Sequence, residues 1–284
     1  MYITNNAIVA KIAEDAGVDW IFIDLEVMGK AKRQGHLSSV ISRHQLEDVK
    51  KIKNVLTKSK LLVRVNPIYA ESKYEIDCVI KDGADIVMLP FFKTRDEVKA
   101  FIDYVNGRAQ ICLLCETAEA VENMDDILKV RGIDLIHIGL NDLHLSYNMK
   151  FMFEPLADGT IDMLCNKFES AGIPYGFGGI AQIGKGELPA EYVIAEHYRV
   201  GSTMAILARS FCDVNKISDI EEINEVFKTG VNNIRNFEKS LFKKDNKFYE
   251  SNHEIVCEKV IEITGKIIEK EKRILHEVAA DGSL

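Results

Sequence analysis

Two acidic residues, Glu116 and Asp142, sit where two apolar runs stop. Ile111-Cys112-Leu113-Leu114-Cys115 ends at Glu116. Leu135-Ile136-His137-Ile138 ends at Gly139, and Asp142 follows three residues later. Between them Ala118, Val121, Met124, Ile127 and Leu128 recur at helical spacing until Gly132 breaks the pattern. The whole reads as strand, helix, strand. In a parallel sheet the carboxyl ends of the strands lie on one side, so both carboxylates can converge on one point. Two carboxylates at one rim suit a divalent cation with oxygen ligands, Mg2+ or Mn2+. Each acid alone has an ordinary reading, as a helix cap in Glu-Thr-Ala-Glu and as a turn residue in Asn-Asp. Their placement one repeat apart favours a site.

The elements that must position these residues alternate along the first part of the chain. Strands are predicted at Met1 to Thr4, Trp20 to Leu25, Lys60 to Val65, Asp85 to Leu89, the two runs above, Pro174 to Ile180 and Arg199 to Gly201. Helices are predicted at Asn6 to Ala16, Arg43 to Leu56, Ser72 to Lys81, Thr94 to Val105, Ile161 to Ala171 and Pro189 to His197, with a last one through Ile206 to Arg209. Strand signals that recur roughly every 20–40 residues, each followed by a helix, are the pattern of a (β/α)8 TIM barrel in the α/β class. An open doubly wound sheet is the competitor, but no GxGxxG follows the first strand and no GxxxxGK[ST] occurs. The barrel is assigned to residues 1–211. Residues 212–284 form an additional helical extension, with helices predicted at Ile220 to Phe242 and Glu254 to Val278. The apolar stripe of the second helix, Ile255 to Leu275, suits packing on the barrel or, in preference, on a neighbouring subunit of a homo-oligomer.

Composition narrows the class. The chain has 284 residues, 47% hydrophobic and 28% charged, as in a globular protein. A net charge of -8 argues against nucleic-acid binding. No apolar run is long enough for a membrane span, and the first residues lack a signal-peptide layout. The six cysteines are scattered. Cys112 and Cys115 form a CxxC, but within a strand, which favours buried thiols over a redox or zinc motif. The expectation is a cytoplasmic protein.

The residues expected at the strand ends are Asp24 and Glu26, Arg64 and Asn66, Phe91 to Lys93, Glu116, Asp142, Phe177 to Gly179, and Ser202. Arginine can hold a carboxylate by two parallel hydrogen bonds. A cation on Glu116 and Asp142 can polarise the carbonyl of a 2-oxo acid and stabilise an enolate. Arg64 and Glu26 are therefore the candidate catalytic residues, Glu26 as a base or as the support of a metal-bound water. Arg64, Asn66, Gly139 and Asn141 are the candidate substrate-binding positions. The Lys/Arg/Gly-rich loop 27–42 and the segment 145–160 would set specificity.

AGVDWIFIDLE, LLVRVNP, GADIVMLP, CETAEAVENMDDI and IDLIHIGLNDLHLS together resemble the HpcH/HpaI aldolase and citrate lyase beta-subunit family, over roughly residues 6–211. The resemblance implies a (β/α)8 barrel, a divalent cation on Glu116 and Asp142, and Arg64 on the carboxylate of a 2-oxo acid such as pyruvate. It implies carbon–carbon lyase or aldolase chemistry with an aldehyde or acyl-CoA partner, in a trimer or hexamer that exchanges C-terminal helices. The chain departs from the family at Val27, where aldolases carry a His and citrate lyases an Asp. The nearest histidines are His36 and His44. His137 reads as a core residue, and His144 as near the rim or at the surface. The segment from Val105 to Ile111 is short, as in the citrate lyase branch. Two alternatives stand beside the lyase: a non-catalytic relative that binds 2-oxo acids, and a CoA-ester lyase or thioester hydrolase whose basic loop meets CoA phosphates.

Overall fold

The computed structural model describes residues 1–29, 44–214, 216–217 and 219–280, with side chains up to 274. Eight parallel strands stand in chain order: β1 (Tyr2–Ile3), β2 (Trp20–Asp24), β3 (Lys60–Arg64), β4 (Ile86–Leu89), β5 (Gln110–Cys115), β6 (Leu135–Ile138), β7 (Tyr175–Ile180) and β8 (Met204–Leu207). The ring closes where the Met1 nitrogen donates to Ala205 O and Leu207 N donates to Met1 O, both at 2.8 Å. This is the expected (β/α)8 barrel.

Alternation along the strands builds two cores. Phe22, Leu62, Ile86, Met88, Cys112, Leu114 and Leu135 fill the barrel with Trp20, Met204 and Ile206. The other face of each strand packs under the helix ring. The helices of that ring are α1 (Ala7–Asp15), α2 (Leu46–Lys53), α3 (Ser72–Lys81), α4 (Arg95–Val105), the short α5 (Ala118–Glu122) and α6 (Met124–Ile127), α7 (Leu140–Ser146), α8 (Glu154–Ala157), α9 (Thr160–Ser170) and α10 (Ala190–Arg199). Cys112 belongs to the inner core and Cys115 to the outer one, so the CxxC thiols lie on opposite faces of β5. At Gly176 in β7 an added Cβ would meet Met204 O at 2.0 Å, so only glycine lets β8 approach.

The structure corrects the end of the barrel. The last strand is not Arg199 to Gly201, and no helix covers Ile206 to Arg209; α10 runs on to Arg199 and β8 occupies 204–207. The reason is Gly201, whose φ of +72° ends the helical stretch before the apolar run Met204-Ala-Ile-Leu207. Ser202 therefore precedes β8, and its Oγ lies 2.6 Å from His197 Nδ1 instead of reaching the carboxyl-end rim. The start of the predicted helix at Arg43 and the whole of residues 30–43, His36 included, lie outside the described residues.

The extension is two helices, α11 (Ile220–Leu241) and α12 (Asn246–Ala280). α11 packs along α1 and α10; Phe227 meets the Tyr2 ring edge-on at 4.8 Å, and Arg235 bonds Asp19 at 2.7 Å. α12 packs on α10 and α8, burying Val256 and Val260 against the chain's own barrel. The buried Glu196 of α10 pins it, accepting from Asn252 Nδ2 at 2.8 Å and lying 2.8 Å from His253 Nδ1. Further along, Ile261 and Ile274 remain exposed. No helix among the described residues is long and apolar enough to cross a membrane.

Candidate active site

β2 and β3 deliver the first part of the site. They pair in register, with Asp24 opposite Arg64, so the two side chains emerge side by side at the carboxyl end. The Arg64 fork closes on Asp24: Nε to Oδ1 at 2.8 Å and Nη2 to Oδ2 at 2.9 Å. Nη1 stands 3.4 Å from Glu26 Oε2. The guanidinium also lies over the Phe22 ring, which tops the apolar layer below. Burial alone would depress Arg64, but the carboxylates of Asp24, Glu26 and Glu116 hold it above its ordinary range. Asp24 and Glu26 are 2% and 1% exposed, so this charge cluster lies within the barrel mouth and not on its surface.

β5 and β6 deliver the second part. Glu116, 2% exposed, follows β5. Its Oε1 accepts the backbone N–H of Phe91 at 3.1 Å. Its other oxygen lies against Gly139, where an added Cβ would stand 2.8 Å from Oε2. Gly139 ends β6 and starts α7, so Glu116 rests on the turn that carries Asn141 and Asp142. Asp142 sits in the first turn of that helix and is 9% exposed. The structure thus brings Arg64, Glu26 and Glu116 to one rim with the Gly139–Asp142 turn.

Glu116 and Asp142 offer oxygen donors of the kind a hard divalent cation takes. Two carboxylates that leave the remaining positions to water and substrate oxygens are what Mg2+ takes, and Mn2+ accepts the same set. The absence of a Cβ at Gly139 makes the room in which the Glu116 carboxylate lies. No group of three or more His, Cys, Asp or Glu able to hold a metal occurs among the described residues, so the fit rests on this pair.

Asn66 is used differently from a simple substrate ligand. Its Oδ1 accepts the N–H groups of Val27 and Met28, both at 3.0 Å, and its Nδ2 donates to Glu75 Oε1 at 2.8 Å. It therefore braces the chain leaving β2. Glu75, on α3, has a carboxyl raised by burial. Sequence reasoning missed it; the only trace was an acid three residues into the helix after Asn66-Pro67.

The histidines divide. His44 reaches the end of β2, where its Nδ1 accepts the Asp24 N–H at 3.0 Å. His137 lies inside the barrel, fully buried, with Nε2 on Gly178 O at 3.3 Å; burial lowers it to about 3, so it is neutral. His144 is buried on α7 with Nδ1 against Leu140 O, so it is not the surface residue the sequence allowed.

The comparisons bear on the fold and the family. The family model described as HpcH/HpaI aldolase/citrate lyase matches residues 1–154. The HpcH/HpaI aldolase from Desulfitobacterium hafniense DCB-2 superposes with a TM-score of 0.58 at 15% identity, over 79% of this chain and 92% of that one. A HpcH/HpaI aldolase/citrate lyase family protein from Burkholderia cenocepacia J2315 gives 0.57 at 16%, over 78% and 94%. The citrate synthase SbnG gives 0.55 at 16%, over 73% and 84%. At such identities these structures support the fold alone. No curated protein sequence matches the chain significantly. With its family match spanning more than half its length, the chain belongs to the HpcH/HpaI aldolase/citrate lyase family.

Proposed function

We propose that the chain is a divalent-metal-dependent carbon–carbon lyase acting on a pyruvate-like 2-oxo acid or its aldol adduct. The observation that carries this reading is the Arg64 guanidinium held at the barrel mouth between Asp24 and Glu26, on the same rim as Glu116 and the Asp142 turn. Glu116 and Asp142 would hold Mg2+ or Mn2+. When bound, the cation supplies Lewis-acid polarisation of the substrate's 2-oxo group.

The remaining work falls to side chains. Asp24 engages Nε and Nη2 of Arg64 and Glu26 stands 3.4 Å from Nη1, so the substrate carboxylate would take the remaining N–H groups of Nη1 and Nη2. Gly139 and Asn141 would line the carboxylate end of the substrate beside Asp142. Glu26 takes the proton from the C4 hydroxyl of an aldol adduct. The C3–C4 bond then breaks, its electron pair passes to the C2–C3 enolate, and C4 leaves as an aldehyde carbonyl. Returning the proton to C3 gives the 2-oxo acid, and the reverse order makes the bond. Such a base must reach its proton within hydrogen-bond distance. The exposed Ile261 and Ile274 of α12 favour a homo-oligomeric assembly in which a neighbouring chain covers them.

The test is release of pyruvate from a panel of 4-hydroxy-2-oxo acids, coupled to lactate dehydrogenase, with Mg2+ and with chelator. Metal-dependent release that disappears in Glu116→Gln supports the assignment. Equal rates with chelator, or in Glu116→Gln, contradict it.

A further inference from the structure

Val27 and Met28 are large apolar residues left 60% and 42% exposed immediately after Glu26, which is 1% exposed. Single exposed apolar side chains are ordinary. This pair is set apart by how it is held. Two consecutive backbone N–H groups, those of Val27 and Met28, converge on one oxygen, Asn66 Oδ1. The amide of Asn66 is fixed in turn by Glu75 Oε1, and the Asn66 backbone N–H points at the same carboxylate at 3.3 and 3.4 Å. Burying that carboxylate has a cost, as its raised pKa records. A buried asparagine and a partly buried glutamate are thus committed to fixing the backbone of two residues that packing leaves exposed.

The polarity of the mouth changes sharply over these positions. Below lie Asp24, Glu26, Arg64 and Glu116, all charged; at the lip stand a valine and a methionine. A ligand whose carboxylate meets Arg64 and which extends out past Glu26 passes over them. Such a ligand is best matched if its far end is apolar. Val27 offers no hydrogen bond to a hydroxyl, and Met28 has an unbranched, polarisable side chain that adapts to varied apolar shapes.

We propose that Val27 and Met28 form an apolar lip that selects the partner half of the substrate. The class taken is a 2-oxo acid whose distal chain, supplied by the aldehyde or acyl partner, is alkyl or aryl and not hydroxylated or charged. This deepens the lyase reading and rests on Arg64 receiving the carboxylate.

The test is binding, followed by calorimetry on the full chain with Mg2+, of pyruvate, 2-oxooctanoate and 8-hydroxy-2-oxooctanoate. The wild-type protein should bind the alkyl-tailed acid at least tenfold more tightly than the hydroxylated one. In Val27→Asn/Met28→Gln the ratio should fall below threefold. Glu75→Ala, which removes the brace and leaves the lip residues in place, should weaken the alkyl-tailed acid more than pyruvate. Equal affinity for the two tails, with pyruvate bound, overturns the lip. A Val27-dependent preference for the alkyl tail without pyruvate binding overturns the carboxylate site and keeps the lip. No binding of any of the three acids overturns both.

Discussion

The backbone N–H of Phe91 donates to Glu116 Oε1 at 3.1 Å, and Phe91 holds a φ of 53° to do so. A phenylalanine in the left-handed region is strained, by about 1–3 kcal/mol for such residues in general. The strain is spent at the rim, where it orients a carboxylate that Gly139 contacts from the other side. Gly139 itself has a φ of -84°, which alanine tolerates, so Gly139→Ala tests contact and not backbone freedom. Its Cβ would displace the Glu116 carboxylate. Mn2+ affinity should fall at least tenfold by calorimetry, with the fold kept by circular dichroism.

Arg64 ties stability to binding. Arg64→Met would remove the guanidinium that pairs with the buried Asp24 and Glu26, and breaking a buried pair costs about 3–5 kcal/mol. Urea midpoints should show a loss of that order. Arg64→Lys keeps the charge but not the fork on Asp24. It should retain most of the stability while raising KM for the 2-oxo acid tenfold or more.

Far from the rim, Glu14 sets part of the acid limit of the fold. Burial would raise its carboxyl, but Lys11 and the N–H groups of Lys58, Ser59 and Thr57 outweigh burial and bring it from 4.5 to about 2. A folded pKa below the unfolded one adds stability that is fully present above pH 4.5 and lost as pH falls towards 2. Glu14→Gln should therefore lower stability at neutral pH by about 2–3 kcal/mol and flatten the acid limb in that window. Unfolding midpoints measured from pH 6 down to pH 2 check this.

The sequence made the barrel legible because β2 to β6 each end at or next to a charged residue, a glycine or a proline and the longer helices between them carry an apolar face. The placement of Glu116, Arg64 and Glu26 at one rim could be expected because a strand end in a parallel sheet has one possible side, and that of Asp142 because it follows the end of β6 by a short turn. The brace through Glu75 was not, since it depends on a rotamer of Asn66 reaching across to another loop. Neither was the Arg64–Asp24 fork, because a sequence does not give the register that sets β2 beside β3. The last strand slipped by a few residues because Arg199-Val-Gly201 and Met204 to Leu207 are both short and only Ser202-Thr203 separate them, so the positive φ of Gly201 that ends the helix was not visible.

The thiols should be quiet. Cys112, Cys115, Cys165 and Cys212 are buried, and burial pushes all four thiols up. Ellman's reagent should titrate at most Cys78 and Cys257 in the native protein and all six cysteines in denaturant. Fast labelling of four or more native thiols would show that the strands open readily.

The most direct measurement is exchange of the pyruvate methyl protons for deuterium, followed by NMR with Mg2+ or Mn2+, with chelator, and in Asp142→Asn. Loss of the methyl signal that needs metal and Asp142 is the predicted result, because it reports an enolate formed at this rim. A methyl signal that persists with the metal present, or exchange unaffected by chelator and by Asp142→Asn, would contradict the account.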